Sequence, residues 1–298
     1  MATPEPEVSV KHVEEAERLS TTGIGQFELT EVSLKAVASL RGIFAELDMD
    51  HVFDLPHNAL ITVGKNEAHT LVVTHSQSTR SMRWLWAVDS CTLDLFGDVI
   101  TPELQGNFSH VAGSAVEINA ACYVVVRNGV TDQECVPHYD FFSSKIPRAV
   151  AFSLMTPMSA AHDPQSVGGL EFWPWTSMCS SDSTTAAHYR DSETAFRCET
   201  KTLPLAVLPY NYGNATVIDG RLLHRTQPYV VDEFLTLKKN TSPSRTDDHI
   251  ATGELRVLLC VNASATTLES WPHLEALLRK QVGLGLVRSN QQTKGEPE

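Results

Sequence analysis

A histidine and an aspartate two positions apart, His138 and Asp140, are the residues of this sequence best suited to chemistry. They end an apolar stretch, residues 119–142, that we predict to be a strand. On an extended chain, side chains two residues apart point to the same face, whereas Tyr139 points away. An imidazole and a carboxylate on one face can bind one ion, so the pair supplies two thirds of a facial metal site.

Spacing alone does not select this pair, because three His-x-Asp/Glu triplets occur in the sequence. About one or two are expected by chance from this composition. The triplets at 12–14 and 273–275 lie in stretches of helical composition, where residues i and i+2 point apart and cannot bind one ion. The strand context therefore favours His138 and Asp140.

The composition indicates a globular protein and limits its partners. The chain has 298 residues, of which 42% are hydrophobic and 20% charged, and is long enough to bury a large core. A net charge of −13 argues against nucleic acid and anionic membranes as partners. The six cysteines include no Cys-x-x-Cys pair and favour reduced core residues. The sequence shows no signal peptide and no transmembrane run, so we expect a cytoplasmic location.

The pattern of elements predicts a mainly β protein with flanking helices. One amphipathic helix is predicted from apolar residues at three- and four-residue steps: Leu29, Val32, Ala36, Leu40, Ile43 and Leu47. Short β-rich runs separated by polar turns fit a jelly roll or sandwich better than a doubly wound sheet. Two polar stretches, 176–200 and 238–254, are predicted to be insertions between strands.

A single domain, 1–298, is predicted from this order. Residues 1–118 would form N-terminal helices and supporting strands, 119–263 the core, 264–288 a C-terminal helix and 289–298 a disordered tail.

The third metal ligand should come from a distant strand. His224 lies on the strand predicted after the turn signal Asp219-Gly220, and it is the candidate. Two neutral imidazoles and one carboxylate leave coordination positions open and suit Fe(II).

Four segments in order, GVTDQECVPHYDFF, VGGLEFWPW, GNATVIDGRLLHRTQPY and LRVLLCVN, resemble the double-stranded β-helix (jelly roll, cupin-like) core of the Fe(II)- and 2-oxoglutarate-dependent dioxygenases. The style is that of the prolyl 4-hydroxylase-like branch, and the resemblance covers residues 119–263. It implies Fe(II) held by His138, Asp140 and His224, 2-oxoglutarate as cosubstrate, and O2. The implied reaction is hydroxylation, desaturation or ring closure at a C–H bond, with release of succinate and CO2.

The family also has an arginine, one strand after the distal histidine, that holds the far carboxylate of the cosubstrate. Arg256 occupies this place, inside an apolar strand where a guanidinium has little reason to lie without an anion. A structural salt bridge is the alternative role. His224 and Arg256 are further apart than is usual in the family, and the insertion at 238–254 would account for this. Arg225 is the alternative anchor, disfavoured because adjacent strand residues face opposite sides.

Three aromatic residues have two possible roles each, one in the site and one in the core. Tyr123 could donate its hydroxyl to the cosubstrate or pack in the core. Trp173 and Trp175, together with Arg225, could line the substrate pocket, and burial of both tryptophans in the core is the alternative.

Two other functional classes stay open at this point. A cupin-like jelly roll could bind a metal or ligand without oxygenase activity, and a zinc hydrolase could use the same three ligands but would leave Arg256 without a role. The two insertions flank the predicted site, which favours a small-molecule, amino-acid-like substrate over a large protein surface. The sequence predicts no oligomeric state.

Overall fold

The computed structural model describes most of the chain outside the two polar insertions. It covers residues 10–75, 81–130, 135, 137–141, 143, 145–158, 168–173, 206–228, 255–266 and 269–289. The predicted insertions at 176–200 and 238–254, Trp175, and the predicted tail after Ser289 lie outside the described residues.

The helices lie at both ends of the described chain and between the early strands. They are Val10–Thr22 (α1), Glu31–Phe44 (α2), Met49–Asp54 (α3), Ser90–Gly97 (α4), Pro102–Ala112 (α5) and Trp271–Val282 (α6). In the described part of the chain, no helix is long and apolar enough to cross a membrane.

Helix α2 confirms the helix predicted from the apolar pattern, with two corrections. Leu29 and Leu47 lie outside its bounds, Glu31–Phe44, and Val32 is not buried. Thr30 is its N-cap, and the Thr30 side chain accepts a hydrogen bond from the backbone N–H of Ser33. The predicted residues Ala36 and Leu40 are buried as expected, whereas Val32 is exposed. Val32 lies in the first turn of α2, where its neighbour Ser33 is buried instead.

Eleven strands are described. They are Ile24–Glu28 (β1), Ala59–Val63 (β2), His69–Thr74 (β3), Met82–Ala87 (β4), Val116–Arg127 (β5), Ala151–Pro157 (β6), Gly169–Trp173 (β7), Ala206–Pro209 (β8), Asn214–Asp219 (β9), Leu223–Thr226 (β10) and Leu255–Ala265 (β11).

These strands form two antiparallel sheets. The large sheet has the order β1-β9-β6-β11-β5-β4-β3-β2, and the small sheet has the order β10-β7-β8. One face of the large sheet packs against α2, α4 and α5, and its other face packs against the small sheet and α6. The predicted fold class is confirmed: mainly antiparallel β with flanking helices and a jelly-roll core. The division of the domain at residues 118, 263 and 288 stays a prediction.

Strand β5 shows how one strand serves both faces. Tyr123 and Val125 belong to the core under the helices, and Cys122 and Val124 belong to the core between the sheets. Both sets are buried because a central strand covered on both faces has no solvent side. Of the described cysteines, Cys122 and Cys135 are buried thiols as predicted, but Cys91 is exposed.

The prediction that residues 119–142 form one strand is wrong in its second half. Strand β5 ends at Arg127, and His138 lies in a separate irregular segment, residues 137–141. His138 instead makes an isolated antiparallel bridge with His224 of β10. The His138 N–H donates to the His224 carbonyl at 2.8 Å, and the His224 N–H donates to the His138 carbonyl at 3.0 Å. The small sheet, not β5, therefore pairs with this segment at His138.

Candidate metal centre

Three side chains from two distant segments meet beside β10, an edge strand of the small sheet: His138, Asp140 and His224. One ligand atom from each lies within 4.8 Å of the others. Asp140 Oδ1 is 3.7 Å from His138 Nε2 and 3.7 Å from His224 Nε2. The His138 side chain is 54% exposed and that of His224 only 4%, so the group is buried on one side and open on the other. The two-imidazole, one-carboxylate donor set fits Fe(II) with open positions.

His224 is prepared to bind a metal through Nε2. Its Nδ1 lies 2.9 Å from the carbonyl oxygen of Leu222, and a carbonyl can only accept, so Nδ1 carries the proton. Burial lowers the pKa of His224 to about 4, although the nearby Asp140 carboxylate raises it. The imidazole is therefore neutral at pH 7, with its free lone pair on Nε2 facing Asp140.

Asp140 is held from three directions by groups that sequence reasoning missed. The Ser153 hydroxyl of β6 lies 2.6 Å from Asp140 Oδ2, and Gln281 Nε2 of α6 donates to the Asp140 carbonyl oxygen at 2.5 Å. The next residue, Phe141, donates its N–H to the carbonyl of Gly220 at 2.8 Å. Ser153, Gln281 and Gly220 are single polar or small residues far from Asp140 in the sequence, so no local pattern connects them with it.

Gly220 is needed where the irregular segment crosses the start of β10. A Cβ at this position would lie 1.9 Å from Cδ2 of Phe141. The turn predicted at Asp219-Gly220 is confirmed, and it joins β9 to β10, which belong to different sheets. The glycine therefore allows the chain to pass between the sheets and lets the Phe141 ring pack on its backbone, which places Asp140 beside His224.

Arg256 lies on β11 and points into the space between the two sheets. It is buried and shares its face of β11 with Leu258, which belongs to the core between the sheets. Its Nη2 donates to the carbonyl of Gln227 at 3.2 Å, just beyond the end of β10. Gly168 has a φ of +67°, and a Cβ on it would lie 2.7 Å from Arg256 Nη1. The guanidinium therefore runs against a glycine backbone that leaves room for it.

The hydroxyl groups of Thr226 and Tyr210 contact each other, and the Tyr210 ring lies near Arg256. Thr226 follows His224 by two positions on β10 and therefore shares its face, and Thr226 Oγ1 is 3.1 Å from the Tyr210 hydroxyl. The Arg256 guanidinium carbon is 6.0 Å from the Tyr210 ring centroid. Burial raises the pKa of Tyr210 to about 12, although the Arg256 charge lowers it, so Tyr210 keeps its proton at pH 7. Thr226 could have been found in the sequence from its spacing to His224, but Tyr210 could not.

No family model matches the chain, and no curated protein sequence matches it. Solved structures do. AviO1 from Streptomyces viridochromogenes Tue57 superposes with a TM-score of 0.50 at 12% identity, over 88% of this chain and 98% of its own. SnoK, a non-heme alpha ketoglutarate dependent carbocyclase from nogalamycin biosynthesis, superposes with a TM-score of 0.51 at 12% identity, over 85% of this chain and 84% of its own. This chain has the fold of the non-heme 2-oxoglutarate-dependent enzymes. The resemblance predicted from the four sequence segments is confirmed at the level of the fold.

Within this 2-oxoglutarate-dependent enzyme fold, two of the predicted pocket residues lie on the far face of the small sheet. Arg225 Nε donates to Glu171 Oε2 at 2.5 Å, and Arg225 and Glu171 are cross-strand partners. Trp173 pairs with Leu223 and shares this face, whereas His224 pairs with Phe172 on the opposite face. Trp173 is buried there. Arg225 therefore has an ionic partner away from the metal ligands, and Trp173 does not face the space between the sheets.

The structure places Tyr123 away from the site for which it was a candidate cosubstrate ligand. It lies on the helical face of the large sheet, the opposite face from Arg256. Its hydroxyl donates to the Leu40 carbonyl at 3.0 Å, and its ring packs between Phe44 and Phe96 at centroid distances of 5.1 and 4.8 Å. Burial raises the pKa of this hydroxyl, so it stays protonated. These contacts fit the core-packing reading of Tyr123 and not the role of a cosubstrate ligand.

Replacement of Tyr123 by phenylalanine should therefore affect folding and leave the site intact. The lost hydrogen bond to Leu40 should lower the free energy of unfolding by about 1 kcal/mol, measured by urea denaturation. We expect the KM for 2-oxoglutarate to be unchanged. A large rise in that KM without any loss of stability would return Tyr123 to the cosubstrate site.

Proposed function

We propose that this protein is an Fe(II)- and 2-oxoglutarate-dependent oxygenase that oxidises a C–H bond of a small molecule, with release of succinate and CO2. One observation carries the proposal. His138, Asp140 and His224 converge with their ligand atoms within 4.8 Å, at the edge of the same space between the sheets into which Arg256 points. A zinc hydrolase with these three ligands would give the buried guanidinium no partner in its chemistry.

The three converging side chains would hold the iron on one face. When bound there, Fe(II) supplies the oxidative decarboxylation of 2-oxoglutarate and the oxidation of the substrate C–H bond. The chain supplies two imidazoles and one carboxylate, and His224 is kept in the required tautomer by Leu222. The remaining positions are left to the cosubstrate and dioxygen.

Arg256, Tyr210 and Thr226 would hold the far carboxylate of 2-oxoglutarate. A guanidinium can pair with a carboxylate through two parallel hydrogen bonds, and burial strengthens this interaction because little water competes. Arg256 is buried, and the Tyr210 hydroxyl keeps its proton at pH 7 and can donate it. The three groups would fix the orientation of the cosubstrate, so that its other end faces the metal ligands.

The substrate would approach from the side of His138. This imidazole is the exposed member of the group, so the metal position is open to the exterior through it. A small molecule fits such an opening, and an amino-acid-like compound is our first choice. Hydroxylation, desaturation and ring closure all remain outcomes for this site. SnoK, whose fold this chain shares, is a carbocyclase, so ring closure belongs in the assays.

Succinate formation tests the proposal directly. The purified chain should convert 2-oxoglutarate to succinate in the presence of Fe(II) and air, and the rate should rise with the correct member of a panel of small metabolites. Zn(II) in place of Fe(II) should give no succinate. Tight Fe(II) binding without succinate formation on any substrate would favour a cupin-like binding protein. Substrate hydrolysis that requires Zn(II) would favour a hydrolase.

A further inference from the structure

We propose that Ser153 and Asn262 are positioning residues that hold Asp140 as a ligand through one oxygen only. The inference rests on the proposed metal site, because it concerns how one of its ligands is oriented. The two side chains come from β6 and β11 of the large sheet, whereas the three candidate ligands come from β10 and the irregular segment.

Ser153 and Asn262 face each other across two central strands. Ser153 on β6 and Asn262 on β11 are cross-strand partners, with Ser153 0% and Asn262 3% exposed. The Ser153 hydroxyl oxygen is 2.6 Å from Asp140 Oδ2 and 2.9 Å from the amide oxygen position of Asn262. The pairing of β11 with β6 is regular on both sides of this pair, so Ser153 and Asn262 project to the same face of the large sheet.

The chemistry of the three groups determines which of them donates. An ionised carboxylate only accepts hydrogen bonds, and a serine hydroxyl has one hydrogen to give. The Ser153 hydrogen therefore goes to Asp140, and the Ser153 oxygen must accept from Asn262. The amide of Asn262 meets this need with its N–H group turned towards Ser153, since the two ends of an amide are exchanged by a simple flip. The result is a chain of donors from Asn262 through Ser153 to Asp140.

These hydrogen bonds give the two oxygens of Asp140 different environments. Oδ1 lies 3.7 Å from the Nε2 atoms of both His138 and His224, whereas Oδ2 is engaged by Ser153. A carboxylate whose second oxygen is bound in this way cannot turn to offer both oxygens to a metal. With one oxygen of Asp140 engaged by Ser153, a bound metal would keep a further position for the cosubstrate or dioxygen. Gln281 holds the backbone of Asp140, so the carboxylate is fixed at both ends.

Metal binding measured without turnover tests this inference. We would titrate Co(II) into the wild type and into Ser153→Ala, Asn262→Leu and the double variant, and record the dissociation constant and the visible absorption of the bound ion. Supporting partners of metal ligands typically contribute about 10–100-fold to metal affinity. Ser153→Ala should therefore weaken Co(II) binding about 10–100-fold and change the absorption band. Asn262→Leu should have a smaller effect in the same direction.

The double variant separates a chain of donors from two independent contacts. If Asn262 acts through Ser153, the double variant should bind Co(II) as Ser153→Ala does, within roughly twofold, because residues of one network are not additive. Ser264→Ala is the matched control: Ser264 is equally buried on the same face of β11, and its hydroxyl makes no hydrogen bond to the described residues. It should leave the Co(II) affinity unchanged.

Other outcomes would overturn the inference. Wild-type affinity and an unchanged absorption band in both Ser153→Ala and Asn262→Leu would show that Asp140 needs no such support. Additive losses in the double variant would overturn the donor chain. A wild type that binds no Co(II) would instead refute the metal site and the proposed function with it.

Discussion

Asp140→Ala should abolish succinate formation from 2-oxoglutarate while the chain still folds. Asp140 supplies the only carboxylate of the three-residue group described by the structure, and its Oδ1 lies between the two imidazoles. Loss of a supporting partner already costs about 10–100-fold in such sites, so loss of the ligand itself should cost more than about 100-fold in Fe(II) affinity. Anaerobic Fe(II) titration and a succinate assay measure the two effects.

An aspartate outside the site provides the control for this variant. Asp94 lies on the surface and pairs with Arg288 at 2.7 Å, so Asp94→Ala removes one carboxylate far from the metal ligands. An exposed ion pair contributes little to stability, about 0–1 kcal/mol, and succinate formation should continue at the wild-type rate. Unchanged turnover in Asp140→Ala would contradict the ligand assignment, and a folded far-UV circular dichroism spectrum excludes unfolding as the cause of a loss.

The three candidate metal ligands could be selected from the sequence because their positions obey a local rule. His138 and Asp140 keep the two-residue spacing of an extended backbone, and His224 follows a polar turn. What the pattern did not predict is the strand that imposes this backbone. The apolar run of β5 ends at Arg127, and the extended geometry of His138 comes from hydrogen bonds with β10. Those bonds join residues that are far apart in the chain, and no local periodicity records them.

Tyr123 and Arg256 show the limit of alternation as a guide. Both lie on central strands that are buried on both faces, and an apolar strand of this kind has no polar side to mark its orientation. Arg256 could be selected because a charged group in such a strand requires a partner. A tyrosine ring can pack in an apolar core on either face of a strand, so the sequence around Tyr123 did not distinguish the helical face from the face between the sheets. The register of β5 in the sheet decides it.

The supporting residues of Asp140 could not be predicted at all. Ser153 is a single small polar residue within an apolar strand, and Gln281 lies on the C-terminal helix. Their roles depend on the pairing of β6 with β11 and on the packing of α6 against the sheet. Both are tertiary features, and neither residue carries a spacing or motif that relates it to residue 140.

Arg256→Ala should raise the concentration of 2-oxoglutarate required for half-maximal succinate formation, and leave Fe(II) binding intact. Removal of one partner from a buried, hydrogen-bonded charge pair typically costs about 2–5 kcal/mol. In KM this corresponds to roughly 30-fold to several thousandfold. Arg256→Lys keeps the charge but loses the paired geometry of the guanidinium, so its KM should fall between those of the wild type and the alanine variant.

Arg225→Ala distinguishes the two candidate anchors. Arg225 is bound to Glu171 on the far face of the small sheet, so its removal leaves a buried carboxylate without its cation. This should lower the stability of the fold to urea and leave the KM for 2-oxoglutarate unchanged, the reverse of the effect at Arg256. If Arg225→Ala raised the KM and Arg256→Ala did not, the cosubstrate carboxylate would be bound by β10 rather than β11. The buried guanidinium of Arg256, with its Gln227 and Tyr210 contacts, would then be a structural feature of the core.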